Sequence, residues 1–367
     1  MKGYSIIVGI VLLAGAVSEA RAGKFDGPTY LHCLNQRLAG YVVDYTNNHG
    51  CDRRFWSPSL CKPRDVYVYL PPGFDPEHRY PVMFWFHGIG QDEHAFIDRL
   101  VELFDQAIVR GELPPLIIVA PDGSIDGRAS MLYAGSFYLN SKAGRFEDYI
   151  ICDLWPFILQ NYPIRPEREA HVLAGASMGG FAAYNLGIKY RECFSITIGI
   201  FPPLNLRWQD CKGRYRGNFD PCCWGWMDKL KPLQPIARFC GGLITLRMKH
   251  ITGPLFGNRQ GAVNEISQEN PIEMLEAYNV CPGQLAMYIG YGGKDEYNID
   301  AQIDSFLYVA RQRDLDIEVE FLPDGRHDTR TGVKLFPGVI HWLAPRLAPY
   351  CPLSGDDTPA NPAPRPE

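Results

Sequence analysis

A serine held between glycines, followed much later by an aspartate and then a histidine, can make an acyl-transfer centre. In "HVLAGASMGG", residues 171–180, Ser177 stands between Gly175 and Gly179, directly after a run of small apolar residues. A serine hydroxyl alone is a weak nucleophile, so a base has to take its proton and an acid has to orient that base. "YIGYGGKDEYN" places Asp295 just past one apolar run, and "VEFLPDGRHD" places His327 just past the next. The order Ser, Asp, His is the one used where a nucleophile elbow joins a buried strand to a helix. His327 would accept the Ser177 proton through one ring nitrogen while the carboxylate fixes the tautomer through the other. Glu296 and Asp328, adjacent to these candidates, stay open as the acid. The competing reading of Ser177 is a tight turn that had to be small, with a capping serine. His341, beside Trp342 in the last helix, reads as structural, and His94 as a helix cap or pocket border.

Acyl transfer also needs donors aimed at the developing oxyanion. "FHGIG", residues 86–90, ends an earlier apolar run with glycines that free backbone N–H groups to face the same edge. The N–H of Ile89 and the N–H of Met178, which opens the helix after Ser177, form the natural pair. His87 in this motif reads as an architectural hydrogen-bonder.

The elements that must position these residues alternate. "DVYVYLP" (65–71) has the period of a half-buried strand, while "YPVMFWFHG" (80–88), "PLIIVAPDG" (115–123) and "EAHVLAGAS" (169–177) are continuous apolar runs expected of strands covered on both faces. Helical spacing runs over 94–110, stopped by Gly111, and over 146–162, closed by Pro163. A helix follows Ser177. Further strands fall at 193–201, 283–293 and 315–325, with helices at about 300–313 and 332–346. Repeated β-α-β units imply an α/β fold: a mainly parallel central sheet with helices on both faces. The exception is 202–282, about eighty residues between two strands, with weak periodicity; such an insertion is often a functional lid. A decorative excursion stapled by disulfides is the alternative. The segment 25–62 carries no assignable role beyond sheet-edge strands.

The ends and the composition narrow the class. "MKGYSIIVGIVLLAGAVSEARAGKF" has a basic start, an apolar run too short for a comfortable membrane span, and the small-x-small pattern Ala20-Arg21-Ala22. We expect a signal peptide over 1–22, cleaved near Ala22, and a secreted or periplasmic chain; an uncleaved anchor is the alternative. The α/β domain that holds these elements is expected over 23–352 and a disordered Pro-rich tail over 353–367. The net charge is −5, with no basic stripe, which argues against nucleic acid and anionic membrane surfaces as partners. Eleven cysteines suit an exported, disulfide-bearing protein, and an odd number leaves at least one thiol outside an internal pair. Cys51 with Cys61, and Cys211 with Cys222 or Cys223, are local possibilities. No C-x-x-C pair with a second Cys/His pair occurs at zinc spacing, so a structural zinc site is not expected; no cofactor is expected either.

The motifs "HGIG", "GASMGGFAAYNLGIKY", "GKDEYNIDAQ" and "GRHD" together resemble the esterase family that includes esterase D, feruloyl esterases, enterochelin-type esterases and mycolyltransferases. The resemblance covers about 64–201 and 283–346. It implies the α/β-hydrolase fold, a serine carboxylesterase mechanism without metal, Ser177, Asp295 and His327 as the triad, and Ile89 and Met178 as oxyanion donors. "SFYLNSKAGRFEDYI", residues 136–150, resembles the family's segment bordering the pocket, which makes Tyr138, Asn140 and Glu147 pocket candidates. The 202–282 insertion does not match the family. The expected function is an exported serine esterase acting on a small or polysaccharide-linked ester, such as feruloyl or acetyl groups, or on a siderophore ester. An acyltransferase with the same triad, and a non-catalytic binding protein on a hydrolase scaffold, are the alternatives.

Overall fold

The computed structural model describes residues 29–130, 135–239 and 244–352. The leader expected over 1–22 and the tail expected over 353–367 lie outside the described residues. An eight-stranded sheet forms the centre: β1 (Tyr41–Tyr45), β2 (Val66–Leu70), β3 (Val82–Phe86), β4 (Ile117–Pro121), β5 (His171–Ala176), β6 (Ile196–Ile200), β7 (Ala286–Gly292) and β8 (Ile317–Leu322). Their spatial order is β1-β2-β4-β3-β5-β6-β7-β8. Pairing is parallel from β4 through β8, whereas β2 runs antiparallel to both β1 and β4. Strand directions therefore bear out a mainly parallel sheet.

The helices are α1 (Thr29–Arg37), α2 (Val101–Val109), α3 (Trp155–Asn161), α4 (Met178–Lys189), α5 (Met248–Phe256), α6 (Ala262–Gln268), α7 (Pro271–Ala277), α8 (Ile299–Arg311) and α9 (Thr329–Leu347). Strand β3 is buried at every position. Met83 and Trp85 join one apolar cluster, and Val82, Phe84 and Phe86 join the other. That is why its sequence reads as a continuous run: each face of the strand has its own cover. On one side α2 meets α9 through Phe104 and Phe336, ring centroids 5.0 Å apart. On the other, Trp155 of α3 packs on Phe84.

One expectation for the irregular segments changes. The stretch 25–62 is not all strand: α1 precedes β1, burying Leu31 and Leu34 three residues apart, while β1 takes the sheet edge and Phe55–Ser57 pairs with Lys62–Arg64. The insertion is structured despite its weak periodicity, because its elements are short. It holds two two-stranded ribbons, Trp208–Asp210 with Trp224–Trp226 and Pro235–Phe239 with Ile244–Arg247, and then α5, α6 and α7. A Cys211–Cys223 disulfide closes the first ribbon. Cys51 and Cys61 remain free, and so does Cys222.

Candidate active site

Ser177 stands at the carboxyl end of β5, with φ +56° and ψ −118°, and α4 starts at the next residue. A left-handed φ at a non-glycine residue is costly and is held here by the turn around it. Its N–H donates to the Ile200 carbonyl at 2.7 Å. The flanking glycines are required by contact: a Cβ on Gly179 would lie 2.0 Å from the Phe86 carbonyl oxygen, and one on Gly175 2.6 Å from the same atom. The serine is thereby lifted above the sheet edge between β3 and β6.

The loops after β7 and β8 bring the other two residues to it. Lys294 N–H donates to the Gly325 carbonyl at 2.8 Å, and Gly293 N–H to the Leu322 carbonyl at 3.0 Å, so the two loops are laced together. His327 Nε2 lies 2.9 Å from Ser177 Oγ, and Nδ1 lies 2.7 Å from Asp295 Oδ2. The Asp295 side chain is only 1% exposed and also accepts from the Tyr297 N–H at 2.8 Å. Because the carboxylate can only accept, Nδ1 carries the hydrogen and Nε2 turns a lone pair to the serine. Burial pushes the His327 imidazole down, but the charge and hydrogen bond of Asp295 outweigh it, so its pKa is raised. Phe201 and Tyr297 pack on the imidazole at 5.0 and 4.6 Å between centroids and fix its plane.

The other acids are engaged elsewhere. Glu296 accepts from Arg326 Nε at 2.6 Å and from the His327 N–H at 3.1 Å. Asp328 caps α9, accepting from the Thr331 N–H at 2.8 Å. The choice between three carboxylates left open by sequence falls geometrically to Asp295.

Ile89 and Met178 share the wall of one cavity with Ser177 and His327. Met178 is the first residue of α4, where backbone N–H groups have no partner within the helix. A Cβ on Gly88 would touch Ser177 Cβ at 3.7 Å, so the β3 loop lies directly beside the serine. His87 is buried and architectural: Gly123 N–H donates to its Nε2 at 2.8 Å, and Nδ1 meets the Gly88 carbonyl at 2.8 Å.

The three further pocket candidates are placed away from the cavity. Tyr138 is fully buried under the loop, its hydroxyl 3.3 Å from the Pro121 carbonyl, while its neighbours Phe137 and Leu139 line the cavity instead. A φ of +54° at Tyr138 turns its side chain inward. Asn140 is exposed and pairs with Asp148 at 2.8 Å. Glu147 is buried against Lys189 Nζ at 2.6 Å and the Tyr190 hydroxyl at 2.7 Å. His341 lies exposed on α9. His94 pairs with Asp92 and Glu93, whose carboxylates, against the effect of burial, push its pKa up to about 11. Those three residues are also the only group of metal-ligand type whose atoms converge within 4.8 Å among the described residues, and they are absorbed by one another, by Asn48 and by Ala129.

Between these walls lies a cavity of about 760 Å³, its opening to solvent included. About half its lining comes from the insertion, including Leu206, Tyr215, Ile236, Leu246, Met248 and Phe256. Tyr297 and Gln302 lie within the motif "GKDEYNIDAQ" without being marked there as pocket residues, and no motif marks the insertion residues, which reach the site across a long loop. Tyr297, two residues past Asp295, is the one that proximity could have found.

A strand order of 1-2-4-3-5-6-7-8 with a serine at the β5 elbow defines an α/β-hydrolase. The "Putative esterase" family model matches residues 57–328, and the chain belongs to that family. An endo-1,4-beta-xylanase/feruloyl esterase of Xylanibacter ruminicola is 30% identical over 178 residues, 47% of this chain and 24% of that protein. An esterase of Mycobacterium tuberculosis is 31% identical over 202 residues, 53% of this chain and 42% of that one. The chain thus spans less than half the length of these curated relatives. Among solved structures, a ferulic acid esterase superposes with a TM-score of 0.61 at 18% identity, over 84% of this chain and all of that one. An S-formylglutathione hydrolase from Agrobacterium tumefaciens gives 0.57 at 17% identity, over 84% of this chain and 96% of that one. Likeness at that level of identity concerns the fold. Among the described residues, no helix is long and apolar enough to cross a membrane.

Proposed function

We propose that this protein is a serine carboxylesterase in which Ser177, His327 and Asp295 act as the triad. The observation that carries this reading is the unbroken relay Ser177 Oγ, His327 Nε2, His327 Nδ1, Asp295 Oδ2, with links of 2.9 and 2.7 Å, at the wall of an apolar cavity. Ser177 Oγ attacks the ester carbonyl as His327 takes its proton. The N–H groups of Ile89 and Met178 receive the developing oxyanion. His327 then protonates the departing alkoxide, leaving an acyl-enzyme. Water, deprotonated by the same imidazole, resolves it to the acid and restores the serine. The Asp295 carboxylate orients the ring and stabilises the imidazolium.

The cavity suits a mostly apolar, aryl-containing ester, in keeping with the feruloyl esterase named among the relatives. The insertion acts as the lid over this group, since it supplies about half the wall. Export is supported by the leader-like first 22 residues and by the Cys211–Cys223 disulfide, which suits an oxidising compartment. The deciding experiment compares hydrolysis of aryl and short-chain esters by wild type and Ser177→Ala, with fluorophosphonate labelling alongside. Activity and labelling in wild type, both absent in the variant, are expected. Equal hydrolysis by the two proteins would sink the assignment.

A further inference from the structure

Beyond Ser177 and His327 the cavity is lined by the polar residues Tyr215, Thr252, Tyr297 and Gln302, and of these Gln302 carries a buried atom without a partner among the described residues. Gln302, on α8, forms part of the wall beside Tyr215 and Tyr297, and only 2% of it is exposed. Its Nε2 donates to the Tyr215 hydroxyl at 2.8 Å. That hydroxyl spends its single hydrogen on the Tyr297 carbonyl, at 2.9 Å. Tyr215 can therefore only accept from Gln302, which fixes the amide: nitrogen towards Tyr215, oxygen away from it. Gln302 Oε1 is buried and finds no donor among the described residues. The aliphatic side chains that make up much of the wall, such as Ile236, Leu246 and Leu255, offer it none. A buried acceptor without a donor is unfavourable, and a site that keeps one discriminates strongly for a ligand that supplies the missing hydrogen.

We propose that Gln302 determines specificity: its Oε1 accepts a hydrogen bond from a hydroxyl on the otherwise apolar aryl group that fills the cavity. The protein then selects hydroxylated aryl esters over the same esters without the hydroxyl. This rests on the esterase reading given above and adds to it the residue that reads the substrate. Tyr215, delivered by the insertion, is a positioning residue, because it takes the amide nitrogen and so leaves the oxygen as the atom without a partner.

The test measures kcat/KM for methyl cinnamate and its ortho-, meta- and para-hydroxy analogues with wild type, Gln302→Leu and Gln302→Met. Both substitutions leave the Tyr215 hydroxyl its donation to the Tyr297 carbonyl, and two variants guard against one failing to fold. Wild type is expected to favour one hydroxylated ester over methyl cinnamate by about tenfold or more, as the loss of one buried hydrogen bond implies. In both variants that ratio should fall to within about twofold of unity while methyl cinnamate is still hydrolysed. Calorimetric binding of the free hydroxycinnamic and cinnamic acids to Ser177→Ala, with and without Gln302→Leu, reads the same preference without turnover. A wild-type ratio near unity, or one unchanged in both variants, overturns the inference. Absence of all hydrolysis together with a Gln302-dependent preference in binding would defeat the esterase reading and leave this one standing.

Discussion

At the scale of single residues, Asp295 and His327 set the terms of the proposed reaction. The base works only when neutral, and Asp295 raises its pKa against the effect of burial. The acid limb of kcat/KM should therefore lie above the ordinary histidine value of about 6.5, activity falling as pH drops through it. Asp295→Asn should move that limb down and lower kcat by roughly 10³- to 10⁴-fold, through loss of the productive tautomer. Glu296→Gln is the contrasting case, because Glu296 touches the His327 backbone and Arg326 and not the ring; a decrease within about tenfold is expected. pH–rate profiles of the three proteins check both statements. The same raised pKa makes protonated His327 stabilising below about pH 6.5, a contribution lost as pH rises through its folded value.

At the scale of elements, the elbow works because β5 and α4 approach closely enough to force Ser177 into its left-handed conformation. Gly179→Ala would drive a Cβ into the Phe86 carbonyl, which is strand backbone and cannot step aside. Overpacking of that kind costs about 1–3 kcal/mol. The expected result is a clear drop in melting temperature together with a loss of fluorophosphonate labelling, as β3 and β5 separate and the serine tips away from His327. Calorimetry and labelling on the same sample measure the two effects.

Across the whole molecule, the insertion is fastened to α4, the helix that follows Ser177. Lys189, on α4, reaches Glu269 of the insertion and Glu147 beyond it, both at 2.6 Å, and its side chain is only 9% exposed. Removing one member of such a buried cluster strands the remaining charges, at a cost of roughly 3–5 kcal/mol. Lys189→Met should lower stability by an amount in or just below that range, since Glu269 stays partly exposed. With its tether to α4 weakened, the insertion should also hold substrate less well and raise KM for aryl esters more than it lowers kcat. Urea unfolding and steady-state kinetics separate these effects; an unchanged KM in a destabilised protein would argue that the insertion does not help bind substrate.

The sequence by itself determined the sheet, the turns and the order of the chemistry. Strands buried on both faces leave unbroken apolar runs, and the glycines around Ser177 leave a turn that only small residues can make. Motif order and local spacing are enough to place Ser177, Asp295 and His327 at the carboxyl ends of β5, β7 and β8. Only the tertiary structure decided which carboxylate meets the imidazole, since Asp295, Glu296 and Asp328 are alike in type and differ in where their loops aim them. It also decided what the pocket is made of. Tyr138 and Glu147 turn inward to pack and pair, while Phe137 and Tyr215 take the wall, and Gln302 acquires an unpaired oxygen through the single hydrogen of a tyrosine about ninety residues away in the chain. Contacts of that range depend on how the insertion folds back over the sheet, and no local periodicity records it.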